Sequence, residues 1–180
     1  NDVLKRYYET ARQFKLDTII RITSDCPLIS PEIINIIIDE FDYNKADYIS
    51  NAYKRSYPRG LDVEIFSFKT LEKINKFDKN KFEREHVTAF IYNHPNQFKI
   101  GNLMARGLLK KPEIRLCIDT KEDLRLLEII YNKFYRGRII PIINVIKFLN
   151  NNPSLIKINR KSEEKHLKKN KEQNINQKFN

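Results

Sequence analysis

Two aspartates stand where short apolar runs of the sequence end, and together they can form a metal site. Asp25 closes the run in RITSDCPL, and Asp119 closes the run in IRLCIDTKEDL. Both runs contain β-branched residues, which is typical of buried strands, and open α/β sheets bind ligands beyond the carboxyl ends of their strands. Carboxylates from two strand ends can converge on Mg²⁺, which prefers oxygen ligands. We therefore predict that Asp25 and Asp119 hold a divalent cation.

Helix capping is the alternative role for both aspartates. Asp25 can cap the helix that follows it, although Ser30 stands directly before the start of that helix and is better placed. Asp119 can cap the next helix, but Thr120 can do so alone, in a sequence that resembles a capping box with Asp123. The residue types by themselves leave both roles open.

The residues around the two aspartates alternate between helical and strand-like patterns. Apolar positions at helical spacing predict helices, and β-branched runs predict strands. The predicted helices cover residues 2–15, a segment from Ser30 onward, 69–76, 81–93, 120–135 and 141–149, and the predicted strands cover 17–22, 47–50, 62–68, 97–103 and 113–118. This order predicts an α/β fold.

Composition and charge limit the kind of molecule. The chain has 180 residues, two cysteines and a net charge of +11. These values predict one domain over residues 1–159, then a basic polar tail over residues 160–180, in a reducing, cytoplasmic compartment. No apolar stretch is long enough to span a bilayer. The positive charge favours anionic ligands, but the motifs of RNA-binding sheets and helix-turn-helix proteins are absent, so we expect no nucleic-acid partner.

Four blocks of the sequence resemble one family of enzymes. The blocks are RITSDCPLISPEII, SNAYKRSYPRGLDVEIFSF, EREHVTAFIYNHP and IRLCIDTKEDLRLLEIIY. They look like the cytidylyltransferases of the spore-coat polysaccharide biosynthesis protein F type, which are related to the CMP-sugar synthetases for acylneuraminate and keto-deoxy-octulosonate. The resemblance implies a Rossmann-like nucleotidyltransferase fold, an α/β/α sandwich with a mixed, mostly parallel sheet.

The resemblance also implies a reaction. Such enzymes transfer CMP from CTP to an acidic sugar and release pyrophosphate, here for surface polysaccharide biosynthesis. In the related synthetases the aspartates that match Asp25 and Asp119 bind Mg²⁺, so the resemblance assigns these two residues to catalysis and to the metal. CTP, the acidic sugar and a second copy of the chain in a homodimer are the implied partners.

The nucleotide-binding loop of the family has no counterpart in this sequence. That loop carries Gly, Arg and Lys and precedes the block that begins at Arg21, yet no glycine occurs before Gly60. We therefore expect an N-terminally truncated member that lacks its first strands and has weak or no activity alone. We also expect exposed apolar side chains on helix 2–15 and strand 17–22, which favour self-association.

The block that contains Gly60 supplies the candidates for the sugar. The carboxylate of an acidic sugar needs a cation, and Arg59 beside the conformationally free glycine is our choice, with Arg55 second. Asp62 and Glu64 alternate along one strand and share one side of it, where they either accept sugar hydroxyls or form a solvated face. Further polar contacts with substrate are suggested for Tyr57 and Asn51, and contacts with substrate or a subunit for Glu85 and His86.

Two other classes of function stay open. A catalytically inactive module, kept for binding or dimerisation, is consistent with the absent loop. A metal-dependent glycosyltransferase would carry a DxD motif, but Ser24 precedes Asp25 and no DxD surrounds it. The sequence therefore favours a member of the cytidylyltransferase family over a glycosyltransferase.

Overall fold

The chain, seen in a computed structural model that describes residues 2–161, forms two compact units. Unit 1 comprises residues 2–22, 31–55 and 62–104, and unit 2 comprises residues 23–30, 56–61 and 105–161. Residues 162–180, nearly all of the predicted basic tail, lie outside the described residues. The domain boundary at residue 159 stays a prediction.

Unit 1 contains a mixed sheet of four strands, which are β1 (Thr18–Arg21), β2 (Tyr48–Ser50), β3 (Glu64–Ser67) and β4 (Ile100–Asn102). Their order is β1-β3-β2-β4. Strand β3 pairs antiparallel with β1 and with β2, whereas β2 and β4 are parallel. Among the described residues, antiparallel pairs thus outnumber parallel ones, in contrast to the mostly parallel sheet that we expected. The physical reason is the connection over residues 51–63, which has no crossover helix and returns the chain in the opposite direction.

The helices of unit 1 are α1 (Val3–Gln13), α2 (Pro31–Asn44), α3 (Phe68–Phe77), α4 (Lys81–His86) and α5 (Ala89–Asn93). The predicted helix over residues 81–93 is divided into α4 and α5, because Val87 between them has a φ of +62°. A β-branched residue is strained in this left-handed region. Val87 is completely buried in the core, and this packing offsets the strain.

Apolar side chains of α1 and β1 are exposed in part. Phe14 is 65 % exposed and Ile20 is 38 % exposed, as expected from the sequence. Tyr7 and Tyr8 are half-buried, whereas Ile19 is buried in the core with Tyr48 and Phe66. The apolar surface on this side of unit 1 is therefore smaller than the apolar sequence of the two elements indicates.

Unit 2 is built on the helices α6 (Lys121–Phe134), α7 (Ile142–Asn151) and α8 (Pro153–Ile156). Thr120 and Asp123 form the capping box at the start of α6 that the sequence predicted. Contrary to the prediction, residues 113–118 do not form a strand of the sheet but contribute a single parallel bridge, between Arg59 and Arg115. Within residues 2–161, no helix combines the length and the apolar character that a membrane crossing requires.

Candidate metal and substrate site

Asp25 and Asp119 approach each other within unit 2, together with Cys117. One ligand atom from each of these residues lies within 4.8 Å of the others. The approach has a backbone cause, because the amide of Ile118 donates a hydrogen bond of 2.9 Å to the carbonyl oxygen of Asp25. Asp25 is half-buried and Asp119 is exposed, so solvent and small ions can reach the carboxylates. The two carboxylates therefore lie close together, although residues 113–118 do not form the predicted strand.

The donor set suits a hard divalent cation. Two carboxylates supply oxygen ligands, which Mg²⁺ prefers over sulfur. Burial raises the pKa of the Cys117 thiol to about 12, and the nearby carboxylate of Asp119 adds to this rise. The thiol is thus protonated and is a weak ligand for Mg²⁺, so Asp25 and Asp119 are the residues that fit the ion. Sequence reasoning missed Cys117, although its position two residues before Asp119 on an extended segment was a usable signal.

Arg115 fixes one side of this cluster, which the sequence did not suggest. Its guanidinium donates from Nη2 to Asp119 Oδ2, and from Nε to Asp123 Oδ1 at 2.9 Å. Burial opposes the charge on Arg115, but the bonds to Asp123 and Asp119 outweigh it and raise the pKa of the guanidinium. Hydrogen bonds from Arg115, from the backbone amide of Asp119 and from Asn159 overcome burial at Asp123 and lower the pKa of that carboxyl. Arg115 and Asp123 are therefore both ionised in the interior of unit 2.

Arg59 lies on the segment next to the one that carries Asp119. The Arg59 amide donates to the carbonyl of Ile114 at 2.9 Å, and the Leu116 amide donates to the carbonyl of Arg59 at 2.7 Å. Gly60 follows with a φ of +95°, and a Cβ added there would lie 2.5 Å from the backbone carbon of Leu116. Only glycine permits this conformation and this close approach, so Gly60 fixes the backbone that presents Arg59.

Tyr57, two residues before Arg59, is buried in unit 2. Burial raises the pKa of its hydroxyl, and the positive charge of Arg106 counteracts part of the rise. Arg106 itself is exposed. Tyr57 and Arg59 thus belong to the same unit as the two aspartates, whereas the other substrate candidates lie in unit 1.

Three of these other candidates make contacts within unit 1. Arg55 and Asp62 form a bidentate ion pair with bonds of 2.8 Å and 2.9 Å, so the runner-up cation and one candidate carboxylate neutralise each other. Asn51 is fully buried, and its side-chain oxygen accepts a 2.8 Å hydrogen bond from the amide of Val63. These contacts give Arg55, Asp62 and Asn51 a structural role, because they hold the loop between β2 and β3.

Glu64 is the centre of a buried polar cluster. Its Oε1 accepts hydrogen bonds from the hydroxyls of Tyr48 at 2.6 Å, of Thr88 at 2.7 Å and of Tyr92. Its Oε2 pairs with Arg21. Burial and the neighbouring carboxylate raise the pKa of Tyr48 and of Tyr92 above the ordinary tyrosine range. Glu64 does not form a solvated strand face, and its carboxylate is fully used inside unit 1.

Glu85 and His86 are exposed at the end of α4. The imidazole of His86 packs on the ring of Phe82, with 4.2 Å between ring centroids. Their roles as contacts for substrate or a subunit stay predictions.

Comparison with known proteins gives concordant matches. A sequence model of the family described as cytidylyltransferase matches residues 1–171. The chain is 40 % identical over 159 residues to an uncharacterised protein of Methanocaldococcus jannaschii, over 88 % of this chain and 63 % of that protein. It is 31 % identical over 152 residues to the spore coat polysaccharide biosynthesis protein SpsF of Bacillus subtilis, over 84 % of this chain and 62 % of SpsF.

A solved structure is also similar. A cytidylyltransferase from Leptospira borgpetersenii superposes with a TM-score of 0.81 at 32 % sequence identity, over 87 % of this chain and 65 % of that one. The match confirms the predicted Rossmann-like α/β fold. The chain spans slightly less than two thirds of each of these three relatives.

Proposed function

Because the chain belongs to the cytidylyltransferase family, we propose that it takes part in the transfer of CMP from CTP to an acidic sugar, with release of pyrophosphate. The observation that carries this proposal is the convergence of Asp25 and Asp119, whose ligand atoms lie within 4.8 Å of each other and of the Cys117 sulfur. Nucleotidyl transfer places negative charge on phosphoryl oxygens, and a divalent cation held by paired carboxylates can stabilise that charge.

The candidate residues of unit 2 have different proposed roles in the reaction. Asp25 and Asp119 would hold Mg²⁺, and the chemistry that the ion would supply there is charge neutralisation on the triphosphate and a lower pKa for the attacking sugar hydroxyl. Arg115 holds one oxygen of Asp119 and leaves the other available. Arg59 supplies a planar, permanently charged fork that suits the carboxylate of an acidic sugar of the nonulosonic or keto-deoxy type.

The name of one relative supports a class of product. One matched protein is named for spore coat polysaccharide biosynthesis, and CMP-sugars are activated donors for such polymers. We therefore propose that the CMP-sugar serves surface polysaccharide biosynthesis.

The test is pyrophosphate release from CTP by the chain fused to the N-terminal nucleotide-binding segment of a family member, because we expect weak or no activity from the 180-residue chain alone. Release is measured with Mg²⁺ and with acidic or neutral sugars. Asp25→Asn and Asp119→Asn remove one ligand charge each and should abolish the release that acidic sugars stimulate. Asp42→Asn, at an exposed position of α2, is the matched control and should leave release unchanged.

Three outcomes discriminate between the hypotheses. Release that survives either ligand variant removes that aspartate from the site. Stimulation by neutral sugars alone contradicts the proposed substrate class. Cation binding without any pyrophosphate release favours the inactive binding module.

A further inference from the structure

We propose that the buried ion pair between Arg115 and Asp123, held by Asn159, is a positioning device that sets the cation affinity of Asp119. The inference rests on the proposed role of Asp119 as a metal ligand. It assigns functions to three residues that are not ligands themselves and that come from different parts of unit 2.

The guanidinium of Arg115 connects the interior of unit 2 with the candidate metal ligand. The Arg115 side chain is 2 % exposed and that of Asp123 is fully buried, whereas that of Asp119 is 52 % exposed. Nη2 of Arg115 donates both to Asp119 Oδ2 and to Asp123 Oδ2, the latter at 3.2 Å. One inner and one outer carboxylate thus share a single positive charge.

Asp123 also holds the backbone that carries the ligand. Its Oδ2 accepts hydrogen bonds from the amide of Asp119 at 3.1 Å and from the amide of Thr120 at 3.0 Å. The carboxylate of Asp123 therefore orients Asp119 twice, through the main chain and through the guanidinium.

Asn159 completes the arrangement from a position 36 residues after Asp123. Its Nδ2 donates to Asp123 Oδ1 at 2.9 Å and to the carbonyl oxygen of Arg115 at 3.1 Å. Both amide hydrogens are used, and the residue is 2 % exposed. Asn159 thereby keeps the inner carboxylate directed at Arg115.

The charge balance gives the expected direction. Asp123 neutralises Arg115, which leaves the charge of Asp119 and Asp25 for a cation. If Asp123 loses its charge, the guanidinium pairs with Asp119 alone and repels a cation at the same place. Residues that orient metal ligands change metal affinity by about ten- to a hundredfold when substituted. Because Asp123 acts on Asp119 partly through Arg115, we expect a loss of at least fivefold for Asp123→Asn.

The experiment measures Mn²⁺ affinity of the 180-residue chain by titration calorimetry, which needs no catalytic turnover. Asp123→Asn keeps the size of the side chain and should weaken binding at least fivefold, with an unchanged circular dichroism spectrum. Asn159→Leu should weaken binding at least threefold for the same reason. Asp119→Asn should abolish binding, and Asp42→Asn should match the unsubstituted chain.

Unchanged Mn²⁺ binding in the folded variants overturns the inference. A folded Asp123→Asn chain that unfolds at a lower temperature but binds Mn²⁺ within fivefold of the unsubstituted chain has lost only stability, and Asp123 is then purely structural. If Asp123→Asn does not fold, Asn159→Leu decides by its own threshold. If the unsubstituted chain binds no Mn²⁺, the proposed metal site fails and this inference fails with it, whereas binding that only Asp119→Asn affects leaves the metal site intact and removes the positioning device.

Discussion

The tight contact at Gly60 makes the arrangement of unit 2 directly testable. A Cβ at this position would lie 2.5 Å from the backbone carbon of Leu116 and 2.7 Å from the backbone nitrogen of Cys117. Since both are backbone atoms, no side-chain rotation can relieve the overlap in Gly60→Ala. The loop with Arg59 must separate from the segment that leads to Asp119.

Gly137 supplies the matched control for this substitution. It also has a positive φ, +73°, but a Cβ there would meet nothing within 4 Å. Gly137→Ala therefore measures the conformational cost alone, about 1 kcal/mol for a left-handed residue. The reduced entropy of the unfolded chain affects both variants equally and cancels in the comparison.

The loss of stability in Gly60→Ala combines this conformational cost with the cost of the steric overlap. Overpacking of a dense interior costs about 1–3 kcal/mol, so we expect a loss of about 2–4 kcal/mol in the free energy of unfolding. Urea denaturation of both variants measures the difference in the free energy of unfolding. Mn²⁺ titration measures whether the displacement of Asp119 also weakens cation binding. Equal losses in the two variants, within about 0.5 kcal/mol, would refute the assigned contact between the loop and residues 114–118.

Three further substitutions test other contacts. Glu64→Gln leaves Arg21 without its ion partner, and Nε of Arg21 already lacks a hydrogen bond within the described residues. Urea denaturation should therefore show a loss of about 3 kcal/mol in the free energy of unfolding. A loss below about 1 kcal/mol would contradict the cluster. Burial and the adjacent Glu83 raise the pKa of Asp78 to about 6, so its protonated form stabilises the fold at low pH and this contribution is lost as the pH rises through about 6. Asp78→Asn should flatten the fall in stability between pH 4 and 7 by up to about 2 kcal/mol, allowing for screening by solvent, and an unchanged pH profile would exclude the raised pKa. Arg59→Lys keeps the charge but loses the fork, so KM for the acidic sugar should rise with little change in KM for CTP, and an effect on CTP alone would assign the loop to the nucleotide.

Local patterns of the sequence were sufficient for most elements and for the choice of the two candidate carboxylates. The capping box of Thr120 and Asp123, and the apolar faces of α1 and α6, depend on neighbours within about one helical turn, so the sequence contains the information directly. Asp25 and Asp119 were chosen as candidates because each stands at the end of an apolar run. The same reasoning gave the α/β class but not the direction of β3, since pairing depends on how a loop returns and not on the strand itself.

Long-range contacts decided what the charged residues do. Glu64 and Asp62 share a strand pattern, yet Glu64 is buried against Tyr48 and Tyr92 while Asp62 pairs with Arg55. No periodicity distinguishes these environments, because each partner comes from another element.

The candidate metal site likewise depends in part on the sequence and in part on the tertiary structure. The sequence by itself determined which carboxylates stand at the ends of apolar runs, since burial of apolar side chains is encoded in residue type and spacing. Only the tertiary structure joined Arg115 to Asp123 and Asn159, which lie 8 and 44 residues farther along the chain. A buried charge needs an oppositely charged partner, because an unpaired charge in the interior destabilises the fold strongly. That partner can come from any part of the chain that the fold brings close.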